Sequence, residues 1–241
     1  LDMLTGKKKQ GGNVVTTLSS AAQKAAYEGL EKQGGKGAVA AIEPSTGKIL
    51  ALASYPSYDP SSFAGNSTTT DAEAWNKLQK KNNPDDPMLN RALREVYPPG
   101  STFKVVTTSA ALQAGLADPD TVLPCPGVAT IEDRTIPNDE SFDLGAVPLH
   151  TAFAFSCNTT MGQLAVNLPP TALTDAARQF GLGADYVTPG LVTVTGSVPE
   201  TDTPAALVES AIGQGQVTAT PFGMALVAAA VANGSAPLPV L

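Results

Sequence analysis

Hydrophobic and polar positions divide the first third of the chain into a helix and a pair of strands. An alanine-rich stretch follows the hydroxyl run TTLSS and ends at Gly-Gly, which predicts a helix over residues 20–32. Two apolar runs, residues 38–42 and 49–53, flank the turn sequence Pro-Ser-Thr-Gly. This arrangement predicts a β-hairpin.

Helical spacing dominates the rest of the chain. A helix is predicted over residues 102–114, directly after a Pro-Pro-Gly break, and helical spacing resumes in LHTAFAFSCNTTMGQLAVNL. PPTALTDAARQFGLG has proline near its start and glycine after its end, and the last helix has Thr220 as its predicted N-cap. Residues 56–90, with one short helical patch at 75–80, and residues 118–148 are rich in turn formers and predict irregular surface excursions.

The predicted elements include too few strands for a stable sheet. A lone hairpin is marginal, and two runs that look fully buried need flanking strands, of which only YVTPGLVTVTG is a candidate. The pattern predicts an α/β fold of the α+β type whose sheet is incomplete in these 241 residues. We therefore expect the remaining strands to have been removed, to be disordered or to belong to a second chain.

The charge and the length of the apolar runs exclude two kinds of interaction, with nucleic acid and across a membrane. Fifteen basic and 22 acidic residues give a net charge of −7, and no basic stripe is present, so nucleic acid is not expected as a partner. The longest apolar stretch, MALVAAAVA, is far shorter than the roughly 20 residues that cross a bilayer. Since no signal peptide opens the chain, we expect any membrane anchor to lie outside it.

Two cysteines and one histidine are too few soft ligands for a zinc site, so no metal and no cofactor are predicted. Cys125 and Cys157 are either buried free thiols or, outside the cytoplasm, a disulfide. The sequence leaves both alternatives open.

Ser101 and Lys104 begin the helix that follows the Pro-Pro-Gly break. Residues three apart share a helix face, and the free N–H groups at a helix start favour developing negative charge. A serine hydroxyl becomes nucleophilic when a base takes its proton, and a lysine is such a base when burial lowers its pKa. The pair is therefore a candidate nucleophile and base, against the plainer alternative of an N-capping serine and a solvated lysine.

The Ser-x-x-Lys spacing occurs a second time, at Ser45 and Lys48, inside the hairpin turn, where we expect both side chains to be solvated. A further candidate is the triplet Ser156-Cys157-Asn158 within an apolar helical stretch. It could be a helix junction, or its hydroxyl could relay a proton while its amide binds the lysine and a substrate peptide.

Taken together, YPPGSTFK and the SCN triplet resemble the penicillin-binding transpeptidases, relatives of the serine β-lactamases. VAAIEPSTGKILALASYPSYDP, LNRALREVYPPGSTFK and SAIGQGQVTATPFGMALVAAAVANG match class B members in order, over roughly residues 10–234, and are closest to members from actinobacteria. The resemblance implies an antiparallel sheet flanked by helices, with a helical lobe. We expect a linker at residues 1–15, the transpeptidase domain at 16–234 and a tail at 235–241.

The resemblance also implies a role for each candidate. Ser101 would be the acylated nucleophile, with its own N–H as one oxyanion donor, and Lys104 the general base. Ser156 would pass a proton to the leaving amine, and Asn158 would position the lysine and the substrate amide. GQGQVTATP, by its chemistry, looks structural, so it is left out of the catalytic set.

The third family motif, Lys-Thr-Gly, does not occur in the chain. Thr195-Gly196 has the right ending, but Val194 stands where the lysine would be. That motif lies on a cleft strand in the family and supplies a substrate-binding cation and the second oxyanion donor. Because losing one such donor costs on the order of 10²–10³ in rate, we expect negligible turnover from these residues alone.

The implied function is a peptidoglycan D,D-transpeptidase that forms cell-wall cross-links, is acylated by β-lactams and acts in cell division. Its partners would be stem peptides, divisome proteins and a second chain with the remaining strands, and its location would be the extracytoplasmic face of the cytoplasmic membrane. The alternatives are a carboxypeptidase or β-lactamase that uses water as acceptor, and a silent β-lactam-binding or divisome scaffold.

Overall fold

The computed structural model describes residues 12–65, 67–131, 133–184, 186–188 and 191–241. Most of the predicted linker at residues 1–15 lies outside these ranges. The helices are α1 (Ser20–Gln33), α2 (Thr68–Leu78), α3 (Arg91–Arg94), α4 (Lys104–Gln113), α5 (Leu149–Ala154), α6 (Asn158–Ala165), α7 (Ala172–Gln179), α8 (Pro204–Ala211) and α9 (Pro221–Asn233). The strands are β1 (Gly37–Ile42), β2 (Ile49–Tyr55), β3 (Val122–Cys125), β4 (Val128–Ile131), β5 (Arg134–Pro137), β6 (Gly145–Pro148), β7 (Val187–Thr188), β8 (Leu191–Val192), β9 (Gly196–Ser197) and β10 (Thr218–Ala219).

The predicted first helix and hairpin are confirmed. Ser19 accepts the Ala22 N–H at the start of α1, and Gly34 ends the helix in the left-handed conformation. β1 pairs antiparallel with β2. The outer edge of β2 is closed by α1, because the Ser19 N–H donates to the Leu50 carbonyl and the Gln23 side chain bonds both backbone groups of Leu52.

The two strands differ in burial, which corrects the prediction that both runs are fully buried. Alternate residues of β2 are buried, whereas β1 is half-exposed along its whole length. Within the described part of the chain β1 pairs with β2 alone, so the expected flanking strands are not found beside it. Val240 instead forms a parallel bridge to Lys48 next to the hairpin turn.

The prediction of an irregular excursion over residues 118–148 is wrong in part. This segment folds back on itself as two small antiparallel pairs, β3 with β6 and β4 with β5. Each strand has only four residues, and β3, β5 and β6 contain or end in proline, so the period-2 signal was too weak to detect them. The candidate strand YVTPGLVTVTG forms the short β7–β8 pair, which does not join the first hairpin.

Two hydrophobic cores meet at α9. Val227 packs with buried residues of α4, α6 and α7, whereas Phe222 and Leu226 pack with Ile49 of β2. α9 is apolar on most faces because it separates these two cores. Its predicted N-cap is confirmed, since Thr220 accepts the Gly223 N–H. None of the helices in the described ranges is both long and apolar enough to cross a membrane.

Cys125 and Cys157 form a disulfide between the end of β3 and the residue that precedes α6, with a Cα–Cα distance of 6.2 Å. Both cysteines are fully buried and pack with Ala152. The alternative that the sequence left open is thereby resolved in favour of the disulfide. The cross-link ties the middle of the Ser156-Cys157-Asn158 triplet to the neighbouring small sheet.

We predict that Cys125→Ala lowers the free energy of unfolding by about 3–4 kcal/mol, the value that the chain-entropy model gives for a closed loop of this length. Chemical denaturation of the oxidised protein measures the change. As a control, a reducing agent should destabilise the parent protein by a similar amount and leave the variant unaffected. A loss below about 1 kcal/mol, the average for any point substitution, would contradict the prediction.

Candidate active site

The nucleophile turn, residues 98–101, leads directly into the central helix. Gly100 has a φ of 57°, a left-handed conformation that favours glycine, and a 3-10 turn over Gly100–Phe103 continues as α4. Ser101 lies exposed on this turn, whereas Lys104 is only 2% exposed. The break therefore presents a hydroxyl at the surface and draws the amine three residues later into the protein.

All four residues predicted from the sequence meet at the Lys104 amine. Its Nζ lies 3.2 Å from Ser101 Oγ, 2.8 Å from Ser156 Oγ, 2.7 Å from the Ser156 carbonyl oxygen and 2.5 Å from Asn158 Oδ1. The second Ser-x-x-Lys copy is different, since Ser45 and Lys48 are both exposed on the hairpin turn, as expected.

The partners of Lys104 differ in what they can donate. The Ser156 carbonyl and Asn158 Oδ1 can only accept, so they take two N–H groups from the amine. Asn158 is held in this orientation because its Nδ2 donates to the Pro137 carbonyl at 3.0 Å. A neutral amine then keeps one lone pair, and the two hydroxyls are the groups within reach that can donate to it. The geometry thus suits a proton acceptor between two serines.

Burial lowers the pKa of Lys104 from 10.5 to about 8, because desolvation disfavours the charged ammonium. At pH 7 a pKa of about 8 leaves roughly a tenth of the molecules with a neutral amine, against less than a thousandth for an ordinary lysine. This meets the electrostatic condition for a lysine base.

Ser156 lies at a break between two helices, which confirms the junction interpretation of its local structure. α5 ends at Ala154, Ser156 has a φ of 59°, and α6 begins at Asn158. In an uninterrupted helix the Ser156 carbonyl would accept a backbone hydrogen bond from the N–H four residues later. The break leaves that oxygen free to accept from Lys104 instead. The disulfide at Cys157 holds the break from the side of β3.

Asn138 is a supporting residue that the sequence analysis missed. It is buried, its Nδ2 donates to the carbonyls of Pro126 and Phe142, and its Oδ1 accepts the N–H of Thr159 in α6. These bonds join the loop after β5 to the helix that carries Asn158. A Pro-Asn-Asp sequence looks like an ordinary turn, so no local signal could have indicated this role.

Ser101 opens into a groove of about 750 Å³. Ser101, Ser156 and Asn158 form part of its wall, and residues 137–142 with Phe155 form the rest. Asp139 and Glu140 are exposed acidic residues of this wall, and Phe142 and Phe155 are its aromatic residues. The groove therefore combines the two serines and the asparagine with acidic and aromatic side chains.

Thr195-Gly196, the partial match to the third motif, does not line this groove and makes backbone contacts elsewhere. The Thr195 hydroxyl donates to the Ala184 carbonyl, and Gly196 pairs with Ala219 in the β9–β10 ladder. This agrees with the sequence interpretation that the pair does not replace the Lys-Thr-Gly motif.

Comparison with known proteins identifies the family. The family model described as penicillin binding protein transpeptidase domain matches residues 37–240, which include most of the predicted tail. The chain therefore belongs to the penicillin-binding protein transpeptidases, and the resemblance and fold class inferred from the sequence are confirmed.

Individual relatives refine this assignment. The chain is 42% identical to the peptidoglycan D,D-transpeptidase PbpA of Mycobacterium tuberculosis and 43% identical to PbpA of Mycolicibacterium smegmatis, covering 97% and 96% of this chain. It covers 48% of each relative, so the chain spans about half the length of the curated relatives it matches. A solved structure of M. tuberculosis penicillin-binding protein A, a penicillin G acyl-enzyme complex, superposes with a TM-score of 0.86 at 40% identity, covering 99% of this chain and 57% of that one.

We predict that Lys104 loses its proton with a midpoint near pH 8. NMR titration of ¹³C-labelled lysine side chains measures this, with the Lys104→Arg variant assigning the resonance. Because the folded protein holds this proton less tightly than the unfolded chain, stability should rise with pH between about 8 and 10.5, and Lys104→Met should remove that part of the slope. A midpoint at the ordinary lysine value would contradict a desolvated amine.

Proposed function

We propose that the chain carries the acylation centre of a peptidoglycan D,D-transpeptidase. The observation that carries the proposal is the Lys104 amine, which is desolvated and within hydrogen-bond reach of both Ser101 and Ser156. The names of the curated relatives support this reaction class. The substrate would be the D-Ala-D-Ala end of a stem peptide, lying in the groove beside Ser101.

In the first half-reaction, neutral Lys104 takes the Ser101 proton as Oγ attacks the carbonyl carbon of the penultimate D-alanine. The Ser101 N–H, at the start of the helical segment, is one donor to the oxyanion that forms. Ser156 lies on the other side of the same amine and would pass the proton to the departing D-alanine nitrogen. The C–N bond breaks, and an acyl-Ser101 ester remains.

In the second half-reaction, an amine of a neighbouring stem peptide attacks the ester, the same residues act in reverse, and a cross-link forms. A β-lactam would acylate Ser101 by the first step and leave a stable ester. This is supported by the penicillin G acyl-enzyme of the M. tuberculosis relative.

The proposed location is the extracytoplasmic face of the cytoplasmic membrane, in a membrane-anchored enzyme with divisome proteins as partners in cell division. The Cys125–Cys157 disulfide supports such a compartment, because disulfides persist in oxidising surroundings.

We predict that a fluorescent penicillin labels Ser101 of the intact protein, as found by mapping the modified peptide. Ser101→Ala should abolish labelling, and Lys104→Met should slow it by about 10²–10⁴-fold, the usual contribution of a general base. Ser45→Ala and Lys48→Met are matched controls in the exposed copy of the motif and should label at the parent rate. Labelling that persists in Ser101→Ala would overturn the proposed nucleophile, and no labelling of the parent would favour a scaffold.

We also predict that the penicilloyl-enzyme turns over slowly, so that hydrolysis of a chromogenic cephalosporin stops after one equivalent. Asp139 and Glu140 are the acidic groups of the groove wall that could activate a deacylating water, but both are solvated. Continuous multiple turnover that Glu140→Gln or Asp139→Asn abolishes would favour a β-lactamase instead. With a stem-peptide substrate, release of D-alanine without cross-linked product would favour a carboxypeptidase.

A further inference from the structure

One segment outside the catalytic set contacts the nucleophile turn. Residues 211–219, which we call the cradle segment, run from the end of α8 to the end of β10 and include the sequence GQGQ. The Gly213 carbonyl accepts a hydrogen bond from the nucleophile turn, and the Ala211 carbonyl accepts one from α4. Ala219 is hydrogen-bonded to the residue that precedes the turn. The cradle segment thus contacts the start of the active-site helix at three positions.

The central contact is between two glycine backbones. The N–H of Gly100, the residue before Ser101, donates to the Gly213 carbonyl at 2.9 Å. A Cβ on Gly213 would lie 2.1 Å from the Gly100 carbonyl oxygen, and the φ of Gly213 is 72°. Since the obstructing atoms belong to the backbone, a side chain at position 213 would push the nucleophile turn away.

The flanking contacts hold the same unit. The buried hydroxyl of Thr107, on the second turn of α4, donates to the Ala211 carbonyl at 2.7 Å. On the other side, Tyr97 and Ala219 exchange two backbone hydrogen bonds, of 2.9 and 2.8 Å. The cradle segment is therefore hydrogen-bonded to Tyr97 before the turn, to Gly100 within it and to Thr107 after it.

We propose that Gly213 is a positioning residue for Ser101, which sets the nucleophile and its N–H in register with Lys104 through the backbone contact with Gly100. The kinetic part of this proposal rests on the proposed function, because acylation of Ser101 is its readout. The physical reason is that a displacement of about 1 Å in a reacting group can cost on the order of 10²-fold in rate.

Gly213→Ala tests the proposal against Gly215→Ala as a matched control. Gly215 lies in the same loop with a φ of 66°, but a Cβ there would meet Glu209 at an ordinary 3.4 Å. Both variants carry the strain of an alanine at positive φ. We expect Gly213→Ala to slow acylation of the intact protein by penicillin by about 10–100-fold, and Gly215→Ala to stay within about threefold.

Amide exchange supplies a readout that does not require activity. In Gly213→Ala, hydrogen–deuterium exchange in the peptide spanning residues 98–104 should accelerate by roughly 3–10-fold, as expected from one weakened hydrogen bond, and Gly215→Ala should leave it unchanged.

Thr107→Val and Thr107→Ser form a second pair of variants. The valine removes the hydroxyl donor to the Ala211 carbonyl and should slow acylation, whereas the serine keeps that donor and should acylate at the parent rate.

The outcomes separate the two proposals. If the parent protein is acylated and Gly213→Ala matches Gly215→Ala in rate, the positioning role is overturned and the proposed function stands. If the parent protein is not acylated at Ser101, the proposed function fails, and unchanged exchange in Gly213→Ala would overturn the contact as well. A fall in melting temperature that is equal in both glycine variants, with equal rates, would also overturn the proposal.

Discussion

The site depends on the burial of one amine. Moving a lysine out of water disfavours its ammonium form, and the fold compensates with two acceptors, the Ser156 carbonyl and Asn158 Oδ1, rather than with a carboxylate. An opposite charge at that distance would have raised the pKa and kept the amine protonated. Neutral acceptors hold the nitrogen in place while leaving the pKa lowered, which is the combination that a base requires.

Much of the nearby structure maintains those two acceptors. The Ser156 carbonyl reaches Lys104 because the backbone leaves the helix at a positive φ, and a non-glycine residue adopts that conformation only when its surroundings hold it there. The disulfide at Cys157 and the bonds of Asn138 supply that restraint from the small sheets of residues 122–148. The segment that seemed an irregular excursion therefore supports the site and lines its groove.

The nucleophile turn has a comparable support on its other side. Pro-Pro-Gly makes the break, but a break alone does not decide where Ser101 points. The bonds from Tyr97, Gly100 and Thr107 to the cradle segment fix the turn against α8 and β10. Ser101 and the Ser156-Asn158 pair are thus anchored to different parts of the fold, and they meet at Lys104.

Local patterns in the sequence were sufficient to indicate the first helix, the first hairpin, the Pro-Pro-Gly break and the Thr220 N-cap, because each depends on near neighbours. The Ser101-Lys104 pair was a candidate through its spacing of three, but its association with Ser156 and Asn158, more than 50 residues away, came from the resemblance to a known family. The short strands of residues 122–148, the pairing of the cysteines, the burial of Lys104 and the contact between Gly100 and Gly213 depended on the tertiary structure. The disulfide and the glycine contact join residues that are 32 and 113 positions apart, so no local pattern encodes them. The short strands lie in a segment with the composition of turns, which hides their alternating pattern. A side chain's solvation is likewise decided by what packs over it, and the sequence near Lys104 looks the same whether that amine faces water or the protein interior.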